Sequence, residues 1–185
     1  MISPQIFRAY DIRGIVDVDL TESVVTELGK GFGTYIRKHQ GQTVSVGRDA
    51  RLSSEAFRDA LIAGILSTGC HVIDLGLIPT PLLYFSLFHL PVDGGIMITG
   101  SHNPPEYNGF KVTRGQETLT GEDLQEIQRL IEQGAFVHGE GELSQADVIT
   151  PYLRLVQEKI HLGRRLHVVI DCGNGTAGVL APTLI

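Results

Sequence analysis

Three short runs of β-branched and aliphatic residues, at 43–47, 71–76 and 95–99, are separated by stretches of helical period. That alternation constrains the fold more than any other feature. A strand, a helix of about ten residues or more and a second strand return to one sheet only through a crossover, which leaves the strands parallel and both sheet faces covered. The run at 109–113 departs from the pattern. Its connection to the preceding run is too short for a helix, so it lies antiparallel to its neighbour and makes the sheet mixed. The expectation is a three-layer α/β/α domain with a mixed, mostly parallel sheet.

Spacing places the helices. Over 22–39, Val24, Val25, Leu28, Phe32, Tyr35 and Ile36 share one face. Gly29, Gly31 and Gly33 each weaken that helix by about 1 kcal/mol relative to alanine, which predicts close packing on the sheet. Ser53 or Ser54 caps a second helix, with Phe57, Leu61, Ile65 and Leu66 inward. Thr80-Pro81 opens a third as cap and first helical position, and Pro91 ends it. Thr120, with Asp123 as its capping partner, opens a fourth that carries Leu124, Ile127, Leu130 and Ile131.

Residues 7–14 follow neither period and read as a surface loop. Residues 134–146 are glycine-rich and aperiodic and read as a linker. Beyond them, 147–160 reads as a helix with Tyr152, Leu153, Leu155 and Val156, and 167–171 as a new buried strand. A glycine-rich turn follows, and Ile185 falls inside a further helical pattern. This organisation predicts a first domain over 1–146 and, over 147–185, the first strand and helix of a truncated second α/β domain.

Composition bounds the partners. A net charge of −6 without a long basic run argues against nucleic acid or an anionic membrane surface as partner. No apolar stretch reaches membrane-spanning length, and residues 1–10 lack a signal-peptide core. Cys70 and Cys172 are far apart and form no CxxC, which suits two reduced thiols in the cytoplasm.

Two stretches carry chemistry. Gly173-x-Gly175-x-x-Gly178 matches a dinucleotide fingerprint, but the acidic residue expected about 20 positions on lies beyond Ile185. A turn that packs a strand on a helix accounts for it as well. The run from Gly94 through Thr99 delivers Gly100-Ser101-His102-Asn103 to a strand end, where functional loops of parallel sheets gather. Three readings stand. In a hydrolase, His102 would have to deprotonate Ser101, yet neighbours on an extended chain point apart, and there is no G-x-S-x-G elbow. In a plain turn, serine and asparagine serve local geometry. In a phosphoryl carrier, Ser101 needs donors and cations nearby, and Lys111 supplies charge. Residue chemistry alone leaves the last two open.

Thr99-Gly100-Ser101-His102-Asn103-Pro104 with Asn108-Gly109-Phe110-Lys111 resembles the active-site serine motif of the α-D-phosphohexomutase family. Tyr10-Asp11-Ile12-Arg13-Gly14 resembles its N-terminal loop, and Gly47-Arg48-Asp49-x-Arg51 and Asp171-x-Gly173-x-Gly175 fit as well. The glycine before Ser101 is similar to the phosphomannomutase/phosphoglucomutase branch. The resemblance implies a four-domain enzyme around a central cleft, of which this chain matches the first domain and the opening of the second. It implies that Ser101 is a phosphoserine that interconverts hexose 1-phosphate and 6-phosphate through a hexose 1,6-bisphosphate. Lys111 would stabilise charge or transfer a proton. Tyr10 and Arg13 would line the same cleft and bind the hexose phosphate. His102 and Asn103 would orient the loop, with Asn103 placed to hold the phosphate. Mg²⁺ would be held partly by the Ser101 phosphate, but no alternating-aspartate DGDxD run occurs here. Such a chain is expected to be inactive without the enzyme's remaining C-terminal domains. The alternative is a non-catalytic phosphate- or nucleotide-binding module with 173–178 as its loop.

Overall fold

A computed structural model describes residues 2–185. After a single 3₁₀ turn at Pro4–Ile6, the chain runs β1 (Ile12–Ile15), α1 (Glu22–Lys38), β2 (Thr43–Arg48), α2 (Ser54–Leu66), β3 (His71–Leu77), α3 (Thr80–His89), β4 (Gly94–Ile98) and β5 (Tyr107–Arg114). There follow β6 (Glu117–Thr118), α4 (Glu122–Glu132), β7 (Leu143–Gln145), α5 (Ile149–Lys159), a 3₁₀ turn at Thr176–Val179 and α6 (Ala181–Leu184).

The strands form one sheet in the order β1-β5-β4-β2-β3-β7, with β6 paired to β5. β4, β2, β3 and β7 run parallel, and β5 is antiparallel to both β4 and β1. The mixed, mostly parallel sheet is the one that the helix–strand alternation predicts. Two cores cover it. On one face α1, α2 and α4 bury Val25, Leu28, Phe32, Phe57, Leu61 and Ile127 against Val44, Val46, Ile96 and Phe110. On the other, α3 and the start of α5 bring Leu82, Leu83, Phe85 and Val148 over Leu75 and Met97. Successive strand residues alternate between these faces, which is why Ile96 and Ile98 lie in one core and Met97 in the other.

Several local expectations differ from the structure. Residues 12–14, the end of the stretch read as loop, belong to β1, because Ile12 pairs with Phe110 and Gly14 with Asn108. A four-residue edge strand with an arginine and a glycine carries too little periodicity to show in sequence. The stretch read as a linker contributes β7, which pairs Val72 with Leu143 and Asp74 with Gln145. Residues 167–171, read as a buried strand, are irregular, and Val169 is almost fully exposed. A parallel strand needs neighbours on which to hydrogen-bond, and none of the other described runs pairs with it. The caps also move. Asp123 does not box with Thr120; it accepts a 2.6 Å bond from the Tyr35 hydroxyl, and Gly121 stands at the N-cap. α3 begins one residue earlier than Thr80 as cap implies, with Pro79 at the N-cap.

The glycines of α1 face neighbouring helices and not the sheet: Gly29 and Gly33 meet α2 and the turn after it, and Gly31 meets Ile127 and Ile131 of α4. A Cβ on Gly29 would stand 2.3 Å from the Leu61 carbonyl, and one on Gly64 would stand 2.2 Å from the Thr26 carbonyl. The two helices therefore touch backbone to backbone, which holds α2 and the loop before it at a fixed height over the sheet. The buried Cys70 thiol is pushed up to about 12 by desolvation, so it is protonated and inert at neutral pH. Gly29→Ala is expected to lower stability by about 1–3 kcal/mol through overpacking, despite the better helix propensity of alanine. Urea unfolding of the two proteins measures this, and an unchanged or raised midpoint would remove the backbone contact from the account.

Candidate active site

β2 and β4 are neighbours, so the loops that leave their carboxyl ends meet. The loop after β4 carries Ser101, and the loop after β2 carries Asp49 and Arg51. Asp49 is buried and anchors both loops. Its backbone N–H donates to Ile98 O at 2.9 Å, and its Oδ2 accepts from Gly100 N at 3.2 Å. Its Oδ1 accepts from the Ser54 hydroxyl at 2.6 Å and from Arg51 N at 3.0 Å. Asn108 closes the network by donating to the Ser53 and Ser54 hydroxyls at 2.8 and 3.0 Å. Buried polar groups of this kind are stabilising only when each is satisfied, and here each has a partner.

Above Asp49, the Arg51 guanidinium sits against the serine loop and donates to the carbonyl oxygens of Ser101, Asn103, Pro104 and Tyr107 at 2.6–3.1 Å. Ser101 is exposed and adopts φ +52°, a left-handed backbone that costs an L-residue about 1–2 kcal/mol. One or two charge-assisted bonds of about 1.5–3 kcal/mol each outweigh that strain. The role of Arg51 and Asp49 was missed in sequence. The available signal was position: a polar Arg-Asp-x-Arg run at the carboxyl end of a parallel strand.

The left-handed turn also changes the geometry of the Ser–His pair. The argument that neighbours point apart holds for extended chain. Here Ser101 Oγ lies 3.4 Å from His102 Nδ1, a long contact between two exposed groups. Asn103 has both ends of its carboxamide engaged, with Nδ2 donating to Gly100 O at 2.8 Å and Oδ1 accepting from Arg13 at 3.2 Å. These contacts orient the loop, and the second N–H of the Asn103 carboxamide makes no hydrogen bond among the described residues. Arg13 is held in turn by the buried Asp11 carboxylate at 2.5 Å.

Ser101 lines a cleft of about 1110 Å³ together with Asp49, Arg51, Met97, Thr99 and the 173–176 turn. Ala50 N donates to Thr176 Oγ1 at 3.0 Å, so the glycine-rich turn forms a wall of that cleft. Tyr10 and Arg13 do not line it. They line a smaller cleft of about 490 Å³ with Arg8 and Tyr107, and Asn103 is common to both. Lys111 is half-buried on β5 opposite Met97, hence on the sheet face that Met97 shares with the larger cleft. It is in no ion pair among the described residues and lines neither cleft. Nor, among the described residues, do three or more His, Cys, Asp or Glu side chains converge as metal ligands. No helix among them is long and apolar enough to cross a membrane.

Residues 4–138 match the family described as phosphoglucomutase/phosphomannomutase, alpha/beta/alpha domain I. The chain belongs to the phosphoglucomutase/phosphomannomutase family. A phosphomannomutase/phosphoglucomutase of Pseudomonas aeruginosa is 43% identical over 180 residues, which are 97% of this chain and 39% of that protein. A phosphoglucomutase of Neisseria meningitidis is 38% identical over 99% of this chain and 40% of its own length. A crystal structure of a phosphoglucomutase/phosphomannomutase family protein from Burkholderia thailandensis superposes with a TM-score of 0.96 at 40% identity, over 100% of this chain and 42% of that one. The chain thus spans about two-fifths of the length of these phosphohexomutase relatives.

In this member of the family the strain at Ser101 is testable without any ligand. Ser101→Gly is expected to raise stability by about 1 kcal/mol, since glycine adopts positive φ freely, while Ser101→Ala leaves it nearly unchanged. Denaturant unfolding separates the two variants. A destabilised glycine variant would show that the serine hydroxyl, and not the backbone angle, governs the turn.

Proposed function

We propose that the chain is the serine-bearing first-domain part of a phosphohexomutase of the phosphomannomutase/phosphoglucomutase branch. Ser101 is its phosphoryl carrier, 1–146 its first domain and 147–185 the opening of its second. The observation that carries this reading is an exposed serine held in a strained backbone by a buried polar network at the mouth of a large cleft. Strain maintained by its surroundings is a mark of functional positions.

Phosphoryl transfer needs position and charge more than covalent help from the protein. In the first half-reaction the Oγ–P bond of phosphorylated Ser101 breaks as a free hydroxyl of the hexose phosphate bonds to phosphorus. The hydroxyl proton passes to the freed serine oxygen, and a hexose 1,6-bisphosphate results. In the second, with the bisphosphate reoriented, Ser101 Oγ attacks the other phosphorus and the proton returns to the sugar oxygen. Lys111, on the cleft side of β5, stabilises charge or relays that proton. Tyr10 and Arg13 bind the hexose phosphate from the smaller cleft, where Arg8 adds a second guanidinium. His102 and Asn103 orient the loop.

Mg²⁺ is not accommodated by these residues alone. Asp49, the carboxylate beside Ser101, already accepts from Gly100, Ser54 and Arg51. The contribution of this chain to a cation would be the Ser101 phosphate, with other donors supplied from outside it. Free Cys70 and Cys172 suit a reducing, cytoplasmic setting. The nucleotide-module alternative is weaker: the fingerprint needs a strand before its glycines and a helix after them, whereas 167–171 is irregular and a 3₁₀ turn follows.

Incubation of the chain with glucose 1,6-bisphosphate, followed by intact-mass measurement, is expected to show one added phosphoryl group that Ser101→Ala abolishes. Uptake that survives in Ser101→Ala would contradict the assignment. Conversion of mannose 1-phosphate to the 6-phosphate by the 185-residue chain is expected to be negligible, and measurable turnover would show that the cleft is complete without further domains.

A further inference from the structure

Among the described residues, Arg51 is the single basic side chain that lines the Ser101 cleft; Asp17, Asp49 and Glu106 are the acidic ones. A guanidinium beside a phosphate-carrying serine invites assignment as the phosphate ligand. Its hydrogen bonds point elsewhere. Nη1 donates to Pro104 O and Tyr107 O, both at 2.8 Å. Nη2 donates to Ser101 O at 3.1 Å and Asn103 O at 2.6 Å. Nε lies 3.5 Å from Asp49 Oδ2. A guanidinium has five N–H donors. The four Nη donors are taken by carbonyl oxygens of the serine loop and of Tyr107 at the start of β5. The fifth, on Nε, makes only a 3.5 Å ion-pair contact with the carboxylate beneath that loop, so neither amino group of the guanidinium is free for a substrate.

We propose that Arg51 is the positioning residue of the serine loop, setting the left-handed backbone of Ser101 through the loop carbonyls, and not a ligand of the substrate phosphate. The kinetic part of this proposal rests on the phosphoserine reading of Ser101; the positioning part does not. Gly100 supports it independently. A Cβ there would stand 2.3 Å from both Cζ and Nε of Arg51, so a side chain at position 100 would push the guanidinium out of this pose. The planar fork is also specific to arginine. A lysine ammonium keeps the charge but is a compact point with three donors, unable to span four carbonyls spread from Ser101 to Tyr107.

Arg51→Lys and Gly100→Ala test the proposal from the two sides of one contact. Each variant is measured for hydrogen exchange of the backbone amides over 100–107, for its unfolding midpoint, and for phosphoryl uptake from glucose 1,6-bisphosphate across a concentration series. Both are expected to accelerate loop exchange about tenfold or more, the loss of roughly one charge-assisted bond, with an unfolding midpoint close to the parent. The maximal uptake rate is expected to fall by a similar factor while the half-saturating concentration stays put. The double variant is expected to be no worse than either single one, because both break the same contact. Unchanged loop exchange in Arg51→Lys overturns the proposal, as does a rise in the half-saturating concentration alone, which would make Arg51 a substrate ligand. Absence of uptake by the unsubstituted chain would instead overturn the phosphoserine reading, and loop exchange would still decide the role of Arg51.

Discussion

The contact of the Arg51 guanidinium with three carbonyl oxygens of the serine loop, and with that of Tyr107 at the start of β5, is the interaction on which the site depends. A loop of eight residues between β4 and β5, rich in polar and proline positions, has no core of its own. Backbone order there costs about 1–2 kcal/mol per residue, and the left-handed angle at Ser101 adds to that cost. Arg51 offsets it from one side and Asp49 from beneath. Both arrive by one route: β2 lies beside β4, so its carboxyl-end loop is delivered under the serine. The helix–helix contact at Gly29 and Gly64 fixes α2, whose first residue Ser54 bonds to Asp49. A chain of contacts thus runs from a packing detail on one sheet face to the loop that carries Ser101 at the carboxyl end of β4.

This arrangement divides charge in an unexpected way. Among the described residues, the larger cleft, which contains Ser101, has one cation, Arg51, turned toward the serine loop, and its acidic lining residues are Asp17, Asp49 and Glu106. The smaller cleft is lined by two arginines, the exposed Arg8 and the half-buried Arg13, which is paired with Asp11. Asn103 is shared by the two and is bonded to Arg13, so the position of the serine loop and the charge of the smaller cleft are mechanically linked. On the proposed reading, a sugar phosphate drawn to Arg8 and Arg13 meets a loop already set to present Ser101, which is the preorganisation that phosphoryl transfer rewards.

The layers of this fold were legible from sequence because period and connection length are local properties. Val44, Val46 and Ile96 announce buried strands, and the short link from β4 to β5 announces the antiparallel pair. β1 and β7 were not legible, since their identity lies in the partner strands Phe110 and Val72 and not in their own pattern. Residues 167–171 show the converse: a strand-like composition without neighbours stays irregular. At the site, Ser101 stood out by its motif, whereas the work of Arg51 and Asp49 depends on which strands are adjacent. The closeness of Ser101 and His102 was hidden for a related reason, because a single positive φ reverses the alternation on which the sequence argument relied.

The central claim is that the serine loop is already in place in this chain before any ligand binds. NMR of the isotope-labelled chain tests it most directly, by the amide–alpha coupling and carbon shifts of Ser101 and the protection of the Gly100 amide. The account predicts a single left-handed conformation at Ser101, near φ +52°, with a protected Gly100 N–H bonded to Asp49. Averaged, coil-like values at Ser101 with an unprotected Gly100 amide would contradict it.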